Sequence, residues 1–232
     1  MRLRRRHDRT GALRIGSMAL LLCLLVLDVF VVPFALAPDD LYVRTARDVL
    51  LSLILLSGIA AVSDHRRAYI VVALAAGVAI SIRCTSWLFP LDTIPGLLDV
   101  TALLSLAILG VVVGIKVFGT GRATFDRILG AVALYILIGV VWAEAYQLVN
   151  SHLPAAYAGI ARGNAQGDRA TWIYFSFVTL TTVGYGDITP VAHIARSFAI
   201  LEALIGQLYP AIVLARLVSL HVADDDSRTS SS

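Results

Sequence analysis

The chain has 232 residues, of which 58% are hydrophobic and 15% charged, with a mean hydropathy of +0.82. A soluble domain is about half apolar and about a quarter charged, so this composition exceeds what a soluble core could hide and points to a bilayer as solvent. The net charge of +3 does not indicate nucleic acid. Basic residues gather in "MRLRRRHDR", "DHRR" and "KVFGTGRATFDR", between apolar runs, and no basic face carries interleaved aromatics.

A spanning helix needs about 20 residues. Six runs qualify: 17–37, 41–62, 68–89, 97–118, 127–149 and 193–220. They divide the chain into a basic cytoplasmic tail (1–14), a four-helix transmembrane domain (15–118), a cytoplasmic linker (119–126), a two-helix domain (127–222) and a polar, disordered tail (223–232). The start also has features of a cleaved signal peptide, "RRR" before an apolar run that ends in "ALA". Against that reading, the run is long, Asp28 interrupts it, and Pro38 would follow the cut. Cys23 and Cys84 lie inside apolar runs, without metal or disulfide spacing, and read as small buried hydrophobes.

Most of the 19 Lys and Arg, including Arg2, Arg4, Arg5, Arg6, Arg66, Arg67, Lys116 and Arg127, fall on one side if the N-terminus is cytoplasmic. The expected topology is therefore N-in and C-in. Arg44, Arg47 and Asp48, with Arg83 and Asp99, come to a similar outer depth. Two readings stay open for them: an ion-pair cluster in which Arg83 meets Asp48 or Asp99, or separate snorkelling to the interface. Asp28 has no obvious partner. The fourth run, "LLDVTALLSLAILGVVVGIKVF", offers only Lys116, so it lacks the arginines that steep voltage sensing needs.

Between the last two runs, 171–182 is apolar but too short to cross. It leads into "TLTTVGYGDITP", Thr179 to Pro190. Backbone carbonyls replace a cation's water shell only if several point inward together, which requires positive φ at intervals, and glycine supplies it at least cost. Gly184 and Gly186 stand at every second position, Thr182 can add its hydroxyl, and Val183 and Tyr185 would brace the strand from behind. One chain supplies one wall, so a ring of four copies is needed to close such a site. Irregular backbone at this depth is tolerated where it lines a watery path.

"TTVGYGD" after a short helix, between two spanning helices, resembles the pore of the potassium channel family, whose filters are built from TVGYG loops. The resemblance covers roughly 125–222 and implies an all-α membrane protein: six transmembrane helices, a re-entrant pore helix and a tetrameric pore. By similarity, Thr182, Val183, Gly184, Tyr185 and Gly186 are the filter. Potassium would be held by the carbonyls of Thr182, Val183, Gly184 and Tyr185 and by the Thr182 hydroxyl. Asp187 would sit at the outer mouth, bonded to the pore helix. Many relatives carry paired tryptophans where this chain has Tyr174 and Phe175. Tyr174 could serve Asp187, whereas Phe175 has no donor for Tyr185, a role left to Thr179. Glu144 in "WAEAY" is expected either to brace the loop after the filter or to reach interfacial water.

Relatives have a hinge glycine 20 residues past the last filter glycine, which is Gly206 here. Pro210 cannot bond the Gly206 carbonyl, so the pair is either a swivel or a static kink. Gln207, Ala211, Leu214 and Val218 share a stripe that either lines the inner vestibule or packs on a neighbouring helix. Glu202, an intramembrane carboxylate, is expected to bond Ser176 or Thr179, with filter tuning or proton sensing set against a silent structural bond.

The expected activity is passive potassium conduction by a homotetramer in a plasma membrane, bacterial inner membrane by type. Potassium is the permeant ion, with no other cofactor, no enzymatic chemistry and no nucleic-acid partner. The tail is too short for a nucleotide- or calcium-binding domain. A weakly selective cation channel and a non-conducting regulatory subunit remain as alternatives.

Overall fold

The computed structural model describes residues 18–35, 41–61, 66–88, 96–119, 125–153, 155–160 and 169–229. The basic tail and most of the linker lie outside them. Each long apolar run becomes a helix, which satisfies all of a segment's backbone polar groups within the segment itself. Helix α1 covers 18–35, with a wider π-type turn at Leu27–Val31. Then follow α2 (Leu41–Ala61), α3 (Arg66–Leu88), α4 (Leu97–Phe118) and α5 (Phe125–His152). A two-residue strand β1 (Tyr157–Ala158) precedes the short helix α6 (Arg169–Leu180). Strand β2 (Thr189–Pro190) precedes the last helix, α7 (His193–Thr229).

Packing follows chain order: α2 on α3, α3 on α4, α4 along α5, α5 on α6, and α6 on α7. Helix α1 touches both α2 and α6. Each helix turns one stripe inward. Leu21, Leu25 and Val29 bury one face of α1, Leu51, Ile54 and Leu55 that of α2, and Leu106, Leu109 and Val113 that of α4. The opposite faces stay apolar and exposed, as at Leu74, Leu104, Val111 and Ile115. A helix apolar all round suits lipid rather than water. Among the described residues, three helices are long and apolar enough to cross a membrane: Leu97–Phe118, Phe125–His152 and His193–Arg216 within α7. The apolar stretches Met18–Val31 and Tyr69–Thr85 are shorter.

Several boundaries differ from expectation. Helix α6 occupies Arg169–Leu180 rather than 171–182, because Thr181 and Thr182 form its cap. Helix α7 runs to Thr229, so 223–229 is helical rather than disordered. No glycine or proline follows Pro210, and extending a helix costs little once it is nucleated. Cys23 and Cys84 are exposed on helix surfaces, not buried. Lys116 donates to the Ala61 carbonyl at 2.5 Å, capping the end of α2, where a cation is favoured.

Candidate functional site: the loop between α6 and α7

Helix α6 is held at three places. In its first turn, the Arg169 side chain is 13% exposed, with Nη2 2.6 Å from Asp28 Oδ2 and Nη1 3.1 Å from Glu144 Oε1. Glu144 in turn lies 3.3 Å from Arg47 Nη2, and Arg47 lies 3.9 Å from Asp99. A cation in a helix's first turn opposes the helix dipole, and these carboxylates offset it. Arg83 pairs with Asp48 at 2.5 Å. The outer charges therefore form a cluster across six helices. It includes Asp28, for which the sequence offered no partner. Glu144 faces the start of α6 rather than the loop after it, because its place on α5 is level with Arg47 and Arg169.

Along its length, α6 packs into an aromatic cluster. Phe175 meets Tyr146 with ring centroids 4.8 Å apart and Tyr157 at 5.5 Å, while Trp172 meets Tyr157 at 5.0 Å. Phe175 is turned into this core, so position 175 serves packing. Thr179 donates to the Phe175 carbonyl at 2.8 Å and makes no bond to Tyr185 in the chain, since an intrahelical acceptor lies one turn back.

At its C-terminus, α6 ends in a Schellman motif. The Val183 amide donates to the Val178 carbonyl (2.9 Å) and the Thr182 amide to the Thr179 carbonyl (2.9 Å). The position between them requires a left-handed backbone, and Thr182 occupies it with φ 57°. Gly184 (φ 58°) and Gly186 (φ 80°) repeat that conformation, while Val183 and Tyr185 keep negative φ. Positive and negative φ thus alternate from 182 to 186, the geometry that lets successive carbonyls face one axis. No sequence rule foretold a left-handed threonine, because glycine is the usual occupant of that place.

Beyond the loop, Tyr174 donates to Asp187 Oδ2 at 2.8 Å, and its ring stacks parallel to that of Tyr185. This bond holds the Asp187 carboxyl below the usual carboxylate range. Strands β1 and β2 pair antiparallel, Tyr157 with Pro190 and Ala158 with Thr189. They pin the returning chain beside the segment that precedes α6. Gly159 sits so close to the Asp187 carbonyl that no side chain fits there.

Helix α7 closes the site from behind. Glu202 is fully buried. Its Oε1 lies 2.6 Å from Ser176 Oγ, and Tyr146 donates to its Oε2. Gly206 presses on the Leu180 carbonyl at the end of α6, leaving no room for a Cβ. Glycine is therefore required there by close approach, whether or not the helix bends. The helix continues unbroken through Pro210. Next to Gly206, Gln207 Nε2 donates to Thr182 Oγ1 at 2.7 Å. Ala211, Leu214 and Val218 are exposed, and among the described residues no element of the same chain covers them. Among the described residues no His, Cys, Asp and Glu group has metal-binding spacing.

The pattern of a family described as ion channel matches residues 130–222. Protein LctB of Bacillus caldotenax is 32% identical over 108 residues, covering 45% of this chain and 79% of that protein. Protein LctB of Geobacillus stearothermophilus is 34% identical over 106 residues, 44% of this chain and 78% of that protein. Two pore potassium channel c of Oryza sativa subsp. japonica is 49% identical over 47 residues, 20% of this chain and 10% of that protein. No solved structure matches the chain significantly.

Proposed function

The chain belongs to the family of the LctB proteins and carries an ion channel domain over residues 130–222, and from that premise we propose that it conducts potassium passively, through a ring of four Thr182–Gly186 segments. The alternation of left-handed residues at 182, 184 and 186 carries this reading. A ring of such segments offers stacked carbonyl oxygens with the Thr182 hydroxyls at the inner end, a set of hard donors suited to replacing water around a cation. Thr181 to Asp187 are exposed in the single chain, although the segment lies between membrane helices, so companion copies are the cover it needs. A homotetramer with α7 innermost would also put the exposed Ala211, Leu214 and Val218 stripe along the vestibule. The remaining assignments go with it: six spanning helices, both termini inside, a plasma membrane, and no steep voltage dependence, since Lys116 is engaged with Ala61.

A second reading, weak selectivity among monovalent cations, is favoured by the turning of Phe175 into the core, which leaves Tyr185 without a donor from that position. The deciding experiment is cation flux into liposomes that hold the purified protein. Barium-sensitive potassium uptake that excludes sodium is expected. Equal uptake of both ions would establish the weakly selective reading. No flux over a range of pH and voltage, together with assembly only beside a second channel chain, would mark a regulatory subunit.

A further inference from the structure

We propose that Gln207 is a positioning residue for the innermost cation site: its side-chain amide holds the Thr182 hydroxyl so that the oxygen keeps a lone pair turned toward a passing ion. This rests on the reading of Thr182–Gly186 as the filter. Two independent observations lead to it.

The first is the backbone of Thr182. A β-branched residue with φ near 57° is a conformational outlier, because the left-handed form is unfavourable for an L-residue. Glycine would close the same Schellman motif without that cost. A threonine at this place therefore has its use in the side chain, whose hydroxyl holds one proton and two lone pairs.

The second is how that hydroxyl is bound. Gln207 reaches it because its neighbour Gly206 lies against the Leu180 carbonyl, two residues before Thr182. From there the amide nitrogen donates to Oγ1 at 2.7 Å. Occupying one lone pair with an N–H stops the hydroxyl from rotating freely and leaves the other lone pair available. Gln207 is otherwise exposed. An inner-helix side chain thus sets the donor geometry at the mouth of the loop. Movement of α7 relative to α6 would change the ion site directly.

The substitutions differ in sign. Gln207→Leu removes the donor and frees the hydroxyl to rotate. Gln207→Glu reverses the bond: a carboxylate accepts a hydrogen bond from the hydroxyl, which leaves both lone pairs exposed, and adds negative charge. Barium, a divalent cation close to potassium in size, is a suitable probe because it can be measured by calorimetry on purified protein without requiring conduction. Losing one hydrogen bond of about 1.4 kcal/mol predicts roughly tenfold weaker barium binding in Gln207→Leu. Tighter binding is expected in Gln207→Glu. In a Thr182→Val background, which keeps the shape and removes the hydroxyl, Gln207→Leu should not alter barium binding further. Thermal unfolding of each variant separates folding defects from site effects.

Parent-like barium affinity in a folded Gln207→Leu protein overturns the proposal, as does an equal effect of Gln207→Leu in the Thr182→Val background. If the parent binds neither barium nor potassium, the filter reading itself fails, and the proposal falls with it.

Discussion

Arg169 and Asp28, separated by 141 positions in the chain, meet at 2.6 Å between the first turn of α6 and the π-type turn of α1. The first helix is thereby fastened to the element that carries the loop. Arg169 also stands 3.1 Å from Glu144, without hydrogen-bond alignment on that nitrogen. Breaking a buried pair by removing one partner costs about 3–5 kcal/mol, whereas replacing both with apolar residues is often neutral. Arg169→Ala should therefore lower stability by roughly that amount, leaving Asp28 buried without its partner. The double variant Asp28→Leu with Arg169→Met should recover much of it, because Glu144 keeps Arg47. Unfolding in detergent checks both. Equal losses in the single and double variants would refute the pairing as the source of stability.

Gly206 and Gly77 make a controlled comparison. A Cβ at Gly206 meets the Leu180 carbonyl, while one at Gly77 in α3 meets nothing within 4 Å. Gly206→Ala must push α7 off α6, and overpacking of this kind costs about 1–3 kcal/mol. It should also stretch the Gln207–Thr182 bond. Gly77→Ala should be neutral or stabilise by up to about 1 kcal/mol through helix propensity. Thermal denaturation of the two variants side by side reads the difference, and similar effects at both positions would count against close approach as the role of Gly206.

The outer mouth is predicted to titrate through Asp187. Tyr174 donates to its carboxylate, which favours the charged form and lowers the carboxyl below its ordinary value of about 3.9. The sign follows directly: the bond is complete above the ordinary value and is lost as pH falls through the lowered one. Tyr174→Phe should move that loss to higher pH, toward the ordinary carboxylate range. A carboxyl titration of Asp187 followed by NMR, in parent and variant, measures the displacement. Identical midpoints would remove Tyr174 as the cause.

Hydrophobicity is a local property, so the six helices were legible to within a few residues at most ends. Glycine spacing is local too, and it pointed to positive φ at 184 and 186. Partner choice is not local. Glu144 faces Arg47 and Arg169 because of how α5 is rotated against α2 and α6, and no pattern in "WAEAY" encodes that rotation. Asp28 found Arg169 only through the docking of α1 on α6. The left-handed Thr182 was hidden for the opposite reason, since local propensity favours glycine there while the backbone bonds that close the end of α6 hold threonine in that conformation. The continuation of α7 past 220 was misread because polarity was taken for disorder, although nothing there stops a helix.

Glu202 carries the last prediction. Ser176 Oγ lies 2.6 Å from Glu202 Oε1 and 2.7 Å from the Gly139 carbonyl oxygen. One hydroxyl proton cannot serve both acceptors at once, and a carbonyl has no proton to give. The set closes when Glu202 holds a carboxyl proton for Ser176, Ser176 donates to Gly139, and Tyr146 donates to the other carboxyl oxygen. A neutral acid also fits a residue with no exposed surface and no cation within reach in the described contacts. Glutamine reproduces this pattern, with its amide nitrogen toward Ser176 and its oxygen toward Tyr146. Glu202→Gln should thus fold and melt within about 1 kcal/mol of the parent. Glu202→Ala leaves the Tyr146 and Ser176 hydroxyls beside a cavity and should lose about 2–4 kcal/mol. Denaturation of the two variants decides the matter: a Glu202→Gln protein as damaged as Glu202→Ala would mean that the carboxyl is charged in the folded chain.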